Sequence, residues 1–186
     1  HMDIRFLIGL IGSLILIGGV AYPVRPVQHP TQSLKNWLFV FGNTSMFAYA
    51  IFGYLAGGPI FFCVLQLFIA ISTILMMLNI PDRIDTIILS LAGVALVAWS
   101  LLLFGGYSTV IFVIGLVLLG FGFAFANGTV RRNVMLAIGS ACIAAFSYLV
   151  SDWIFVGLNV FFAVFSGFYA VRLLSETRVK HYEHID

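Results

Sequence analysis

Read for its hydrophobic pattern, the chain is a series of long apolar runs separated by short polar breaks. The breaks fall at Pro23–Asn36, Ala56–Pro59, Asn79–Asp85, Gly105–Ser108, Asn127–Asn133 and Ser151–Trp153, where Pro, Gly, Asn and charged residues gather. Between them lie seven apolar segments, approximately 4–22, 37–56, 59–78, 86–104, 108–126, 134–151 and 153–174. Each approaches the roughly 20 residues that a helix needs to cross the hydrocarbon core of a bilayer. None alternates apolar and polar residues as the strands of a membrane β-barrel do. The pattern therefore predicts an all-α integral membrane protein with seven transmembrane helices. Met2 to Tyr22 reads as a retained first helix: its apolar core, Phe6 to Val20, is followed by Pro23 and Pro26 in place of a small-residue cleavage site. His1 reads as a cloning remnant.

Composition agrees, because 62% of the 186 residues are hydrophobic and only 9% charged, against roughly 25% charged in soluble domains. Charge then adds an orientation. With the N-terminus outside, Arg25, Lys35, Arg83, Arg131, Arg132, Arg172, Arg178 and Lys180 all fall on the inner side and Arg5 alone on the outer. Positive residues accumulate on the cytoplasmic side, so the expectation is N-out and C-in. The basic residues sit at helix ends, so the +2 net charge points to no nucleic acid. The ionisable residues are placed at loops, turns and tails, which argues against a proton-coupled carrier or a membrane hydrolase and for no enzyme activity. Cys63 and Cys142 stand singly within apolar segments and read as packed hydrophobes, with no cofactor implied. His181 and His184 in the tail read as a solvated end, and no metal site is expected.

The pattern repeats internally. "YLAGGPIFFCVLQLF" (54–68) aligns with "YLVSDWIFVGLNVFF" (148–162), and upstream Lys35-Asn36 and Gly42 resemble Arg132-Asn133 and Gly139. The offset drifts by a few residues, so one half has gained or lost about a helical turn. Helices 1–3 then correspond to helices 5–7, giving two parallel three-helix bundles (4–78 and 108–174) joined by a linker helix (86–104), with a cytoplasmic tail (175–186). Gln66 in the third helix and Asn159 in the seventh are single amides in apolar runs, 93 residues apart; Thr73 and Ser166 follow each by two helical turns. An amide facing hydrocarbon would leave polar atoms unpaired at several kcal/mol each, so both should face inward. They either glue helices together or bind a neutral polar solute. Ala137, Ala141 and Ala145, and Gly115, Gly122 and Ala126, form small-residue faces suited to close helix packing within the chain or to a homo-oligomer contact.

These residues carry a resemblance to the SWEET sugar facilitators and the wider PQ-loop family. "YAIFGYLAGGPIFFCVLQ" (49–66) is similar to that family's passage from second to third helix. The resemblance implies that Tyr49 takes the aromatic platform position, Phe52-Gly53 the Tyr-Gly pair and Gln66 the inward amide, with Phe146-Ser147 and Asn159 as counterparts. Pro23 would be the first-helix proline, although Val24 follows it where the family has glutamine, and no proline follows Pro81. The second platform falls near Ile143. The resemblance implies a facilitator working by alternating access, with Gln66, Asn159, Thr73, Ser166, Tyr49 and Phe146 at the substrate; the departures from the family's pattern, with Phe, Tyr and amide walls, suit a solute less hydroxylated than a sugar. Size and pattern are also similar to small bacterial inner-membrane proteins, which implies the inner (plasma) membrane. The alternative reading is a non-transporting accessory or assembly protein whose amides only pack helices.

Overall fold

The computed structural model describes residues 3–23, 27–125 and 128–182, with side chains described as far as Glu176. Arg25, Pro26, Ala126, Asn127 and His184, and the side chains of Arg178, Lys180 and His181, lie outside the described residues. Among those described there are seven α-helices and no strand: α1 (Ile4–Ala21), α2 (Leu34–Leu55), α3 (Phe61–Leu78), α4 (Asp82–Leu102), α5 (Tyr107–Ala124), α6 (Val130–Leu149) and α7 (Trp153–Tyr182). All seven are long and apolar enough to cross a membrane. The chain is an integral membrane protein.

The helix ends follow local chemistry. Ser33 and Thr129 accept from the amide N–H of Asn36 and Arg132, capping α2 and α6. Both helices thereby start three or four residues earlier than the polar breaks suggest, because the polar residues are the cap and first turn. Helix α4 likewise begins at Asp82, behind Pro81, with Asp82 and Asp85 in its first turn, where carboxylates oppose the positive end of the helix dipole. Asn79 ends α3 in the left-handed conformation, φ 51°, which asparagine tolerates. Helix α7 runs on past the end of its apolar segment to Tyr182; an Arg172–Glu176 pair at 2.9 Å spans one turn of its exposed surface. Charge there marks the exit from the apolar span and leaves the helix intact.

The chain forms two compact units, His1–Leu103 and Phe104–Asp186. In the first, α1 packs on α2, α2 on α3 and α3 on α4; in the second, α5 packs on α6 and α6 on α7. Several constructions occur in both units. Lys35, in the first turn of α2, donates from Nζ to the carbonyls of Val20 and Tyr22 at 3.5 and 3.1 Å. Arg132, in the first turn of α6, donates from Nη1 to those of Phe123 and Phe125 at the same distances. Each cation closes the carbonyl end of the preceding helix, where charge and dipole attract.

Beyond that clamp the helices cross closely on glycines. A Cβ on Gly12 of α1 would lie 2.8 Å from Ser45 Cβ and 3.2 Å from Met46 N of α2; one on Gly139 of α6 would lie 2.9 Å from Leu119 N and 3.1 Å from Gly115 O of α5. Between helices in a membrane, close dispersion contact takes the place of the hydrophobic effect. The clamp and the crossing register together: a shift of 103 residues carries Gly12, Leu16, Val20 and Tyr22 onto Gly115, Leu119, Phe123 and Phe125, and a shift of 97 carries Lys35, Gly42, Ser45 and Met46 onto Arg132, Gly139, Cys142 and Ile143.

The outer turns match too. Ala56, Gly57 and Gly58 donate to the carbonyls of Phe52, Tyr54 and Gly53, and Val150, Ser151 and Asp152 donate to those of Phe146, Tyr148 and Ser147, all at 2.9–3.1 Å. The pivot is left-handed in each, Gly57 at φ 90° and Ser151 at φ 58°. Here the shift is 94 residues, so α6 reaches its turn three residues sooner after the clamp than α2 does. That is just under one helical turn, and it locates the drift of the sequence alignment.

The crossings can be tested against open positions. Gly139→Ala places a methyl against backbone and is expected to lower stability by about 1–3 kcal/mol. Gly167→Ala on α7 meets nothing within 4 Å and is expected to be neutral or stabilising by up to about 1 kcal/mol. Thermal unfolding of the two variants in detergent checks the sign of each.

Candidate functional site

The polar side chains of the interior are few, and each unit is described by itself. In the first unit Gln66 stands on α3 between Leu65 and Leu67 and is 2% exposed. Its carbonyl oxygen, Oε1, is buried and accepts no hydrogen bond. Leaving such an acceptor unmatched costs about 1–3 kcal/mol. Thr73, two turns further on the same face, is in a different situation. Its hydroxyl donates to Ile69 O at 2.8 Å and accepts from Asn43 Nδ2 of α2, also at 2.8 Å. Thr73 is therefore engaged with Asn43 as a junction between α2 and α3.

Asn43 has no distinguishing pattern in the sequence. It lies in "FGNTSMF" among polar neighbours whose hydroxyls turn back on their own helix: Thr44 donates to Val40 O and Ser45 to Phe41 O. Its one signal is position, since Asn43 directly follows Gly42, where Leu16 of α1 approaches α2 closely.

In the second unit Asn159 of α7 is 7% exposed. Its Nδ2 donates to Phe155 O, one turn back, at 2.9 Å. A planar amide held by its nitrogen turns its oxygen away from that carbonyl. Ser166 is buried on the same helix. Ser147 of α6 is fully buried and donates to Ile143 O at 2.7 Å. The amides correspond in their surroundings: Phe62, Leu65 and Gln66 are buried on α3 and Phe155, Leu158 and Asn159 on α7, a shift of 93 residues.

The two aromatic residues are buried but differently seated. Tyr49 of α2 lies against Gly9, whose missing Cβ would approach the ring to 2.7 Å, and the Arg5 guanidinium sits over the ring at 5.1 Å from its centroid. Gly53 gives that guanidinium room, a Cβ there meeting Arg5 Nη2 at 3.0 Å. Phe146 of α6 packs against Phe112 of α5, centroids 5.1 Å apart. Registered on the helix crossing, Gly9 and Tyr49 correspond to Phe112 and Phe146; registered on the turn, Tyr49 corresponds to Ile143. On the crossing register, then, the same position is filled by tyrosine on glycine in one unit and by phenylalanine on phenylalanine in the other.

Comparison with protein-family models, with curated proteins and with solved structures finds no match to this chain.

The Asn43–Thr73 junction has a direct test. Asn43→Ala is expected to destabilise the protein by about 0.6–2 kcal/mol, the range for a hydrogen bond between membrane helices, while Thr73 keeps its bond to Ile69. Thermal unfolding of Asn43→Ala, Thr73→Val and the double variant checks it: non-additive losses are expected, because one bond is removed in all three.

Proposed function

We propose that the chain is a facilitator that passes a small neutral polar solute across a membrane by alternating access. In this reading α1–α3 and α5–α7 are parallel repeats, α4 is their connector, and each repeat lends one amide, Gln66 or Asn159, to the solute. The observation that carries it is the Gln66 oxygen, buried without a donor at the position that corresponds to the buried Asn159. A residue serving only to join helices finds its partner in the fold, as Asn43 and Thr73 do. A solute-binding residue is left with capacity that the solute meets.

Topology supports the same reading. Lys35 and Arg132 open the second and sixth of seven candidate spans. With every span crossing, four helices separate the two clamps, which puts them on one side. Basic residues gather on the cytoplasmic side, which gives N-out and C-in, with the bacterial inner membrane as the expected location. In this reading Ser166 supplies a further hydrogen bond, and Tyr49 and Phe146 are apolar walls. Thr73 is the weakest of the proposed solute contacts, its donor hydrogen being committed to Ile69. The reading of a non-transporting packing protein is favoured by that junction alone.

Reconstituted into liposomes, the protein is expected to raise the permeability to small neutral solutes above that of empty liposomes. Gln66→Leu with Asn159→Leu is expected to remove that increment while thermal unfolding shows a folded protein. Undiminished flux in the folded double variant would take the site away from these amides.

A further inference from the structure

The hairpin of α2 and α3 is tied by a direct bond, Asn43 Nδ2 donating to Thr73 Oγ1 at 2.8 Å. In the second unit the counterparts are serines. Ser140 directly follows Gly139 as Asn43 follows Gly42, and Ser166 follows Asn159 by two turns as Thr73 follows Gln66. Both are buried, at 3% and 7% exposure, and neither hydroxyl has a hydrogen-bond partner among the described residues. Helix length explains the missing bond. Asn43 stands twelve residues before the end of α2 at Leu55 and Thr73 twelve after the start of α3 at Phe61, so the two are level. Ser140 stands nine before the end of α6 at Leu149 and Ser166 thirteen after the start of α7 at Trp153. That four-residue offset is about 6 Å along the hairpin, and serine is too short to close it.

The α6 residues that meet α5 include Gly139, Ile143 and Phe146. Ser140, Ala144 and Ser147 are buried as well, each about 100° further round the helix, and α7 is the other helix on which α6 packs in this unit. Every Cα–Cβ bond tilts toward the N-terminus of its helix. In an antiparallel hairpin Ser140 therefore leans away from the turn and Ser166 toward it, each toward the level of the other. Two hydroxyls that share one water lie up to about 5.5 Å apart, the span of two bonds of about 2.8 Å. We propose that one buried water, hydrogen-bonded to Ser140 Oγ and Ser166 Oγ, joins α6 to α7 where a side-chain amide joins α2 to α3. Buried waters occupy places of this kind, small and lined by polar atoms that lack partners, and such a bridge is nearly as favourable as a direct bond. A hydroxyl has one donor hydrogen and two acceptor lone pairs, so Ser166 keeps capacity for a solute, and the water stands apart from the facilitator reading.

A crystal structure of the unaltered protein, at a resolution that shows ordered water, is the direct test. A single peak within about 2.6–3.0 Å of both Oγ atoms is expected. Ordered serines with no shared peak, whether bonded to each other or each to its own helix, would overturn the proposal. Thermal unfolding in detergent of Ser140→Ala, Ser166→Ala and the double variant supplies a second readout. Each single variant is expected to lower Tm by about 2–4 °C, the shift that a loss of this kind gives in a chain of this length. The double variant is expected to fall no further than the lower single one, because either substitution alone breaks the bridge. Losses that add, or no loss in either single variant, would overturn the bridge. The map needs no variant, so it decides the matter even if a variant fails to fold.

Discussion

A polar atom inside hydrocarbon has no water to turn to, and this constraint shapes the structure more than any other. It makes every span a helix, since a helix satisfies its backbone from within the segment. It also governs the side chains. Thr44, Ser45, Ser100 and Ser147 each return their hydroxyl hydrogen to the carbonyl four residues back, so that these otherwise awkward residues behave as compact, nearly apolar ones. At the helix ends, where backbone carbonyls run out of intrahelical partners, Lys35 and Arg132 supply the missing donors from the next helix. Against that background the Gln66 oxygen stands out among the described residues, buried on α3 with no hydrogen-bond donor.

The second constraint is contact. Helices in lipid gain little by hiding apolar surface from one another, because the lipid is equally apolar. Association depends on how closely the backbones approach. Glycine provides this at Gly12 and Gly42 in one unit and at Gly115 and Gly139 in the other. The cation clamp lies about two turns from each crossing and fixes its register. The combination of clamp, crossing and left-handed turn occurs in both units, with a six-residue difference in the connection from α1 to α2 against α5 to α6 and a three-residue difference within α2 against α6. Clamp, crossing and turn are three different kinds of interaction, and each occurs once in each unit.

Much of the fold was legible in the sequence for a simple reason. Twenty apolar residues and a polar break are a signal of composition, and composition survives without knowledge of packing. The seven helices follow from it, and the cost of an amide in hydrocarbon adds the burial of Gln66 and Asn159. The polar breaks were less legible, because Ser33, Thr129 and Asp82 look like loop residues and act as caps or first-turn residues of helices. The end of α7 was obscured for the related reason that charge ends a membrane span without ending a helix.

The sequence by itself determined the class of the protein, the number of candidate spans and the spacing of the lone amides, since each depends on which residues are apolar and how far apart they lie. Only the tertiary structure decided how those residues are used. It joined Thr73 to Asn43, turned the Asn159 nitrogen onto its own helix, and left the Gln66 oxygen unmatched. It also set Arg5 over Tyr49 where the other unit packs Phe112 on Phe146. Hydrogen bonds and ring contacts are matters of small distances and of direction, and a one-dimensional spacing rule carries neither.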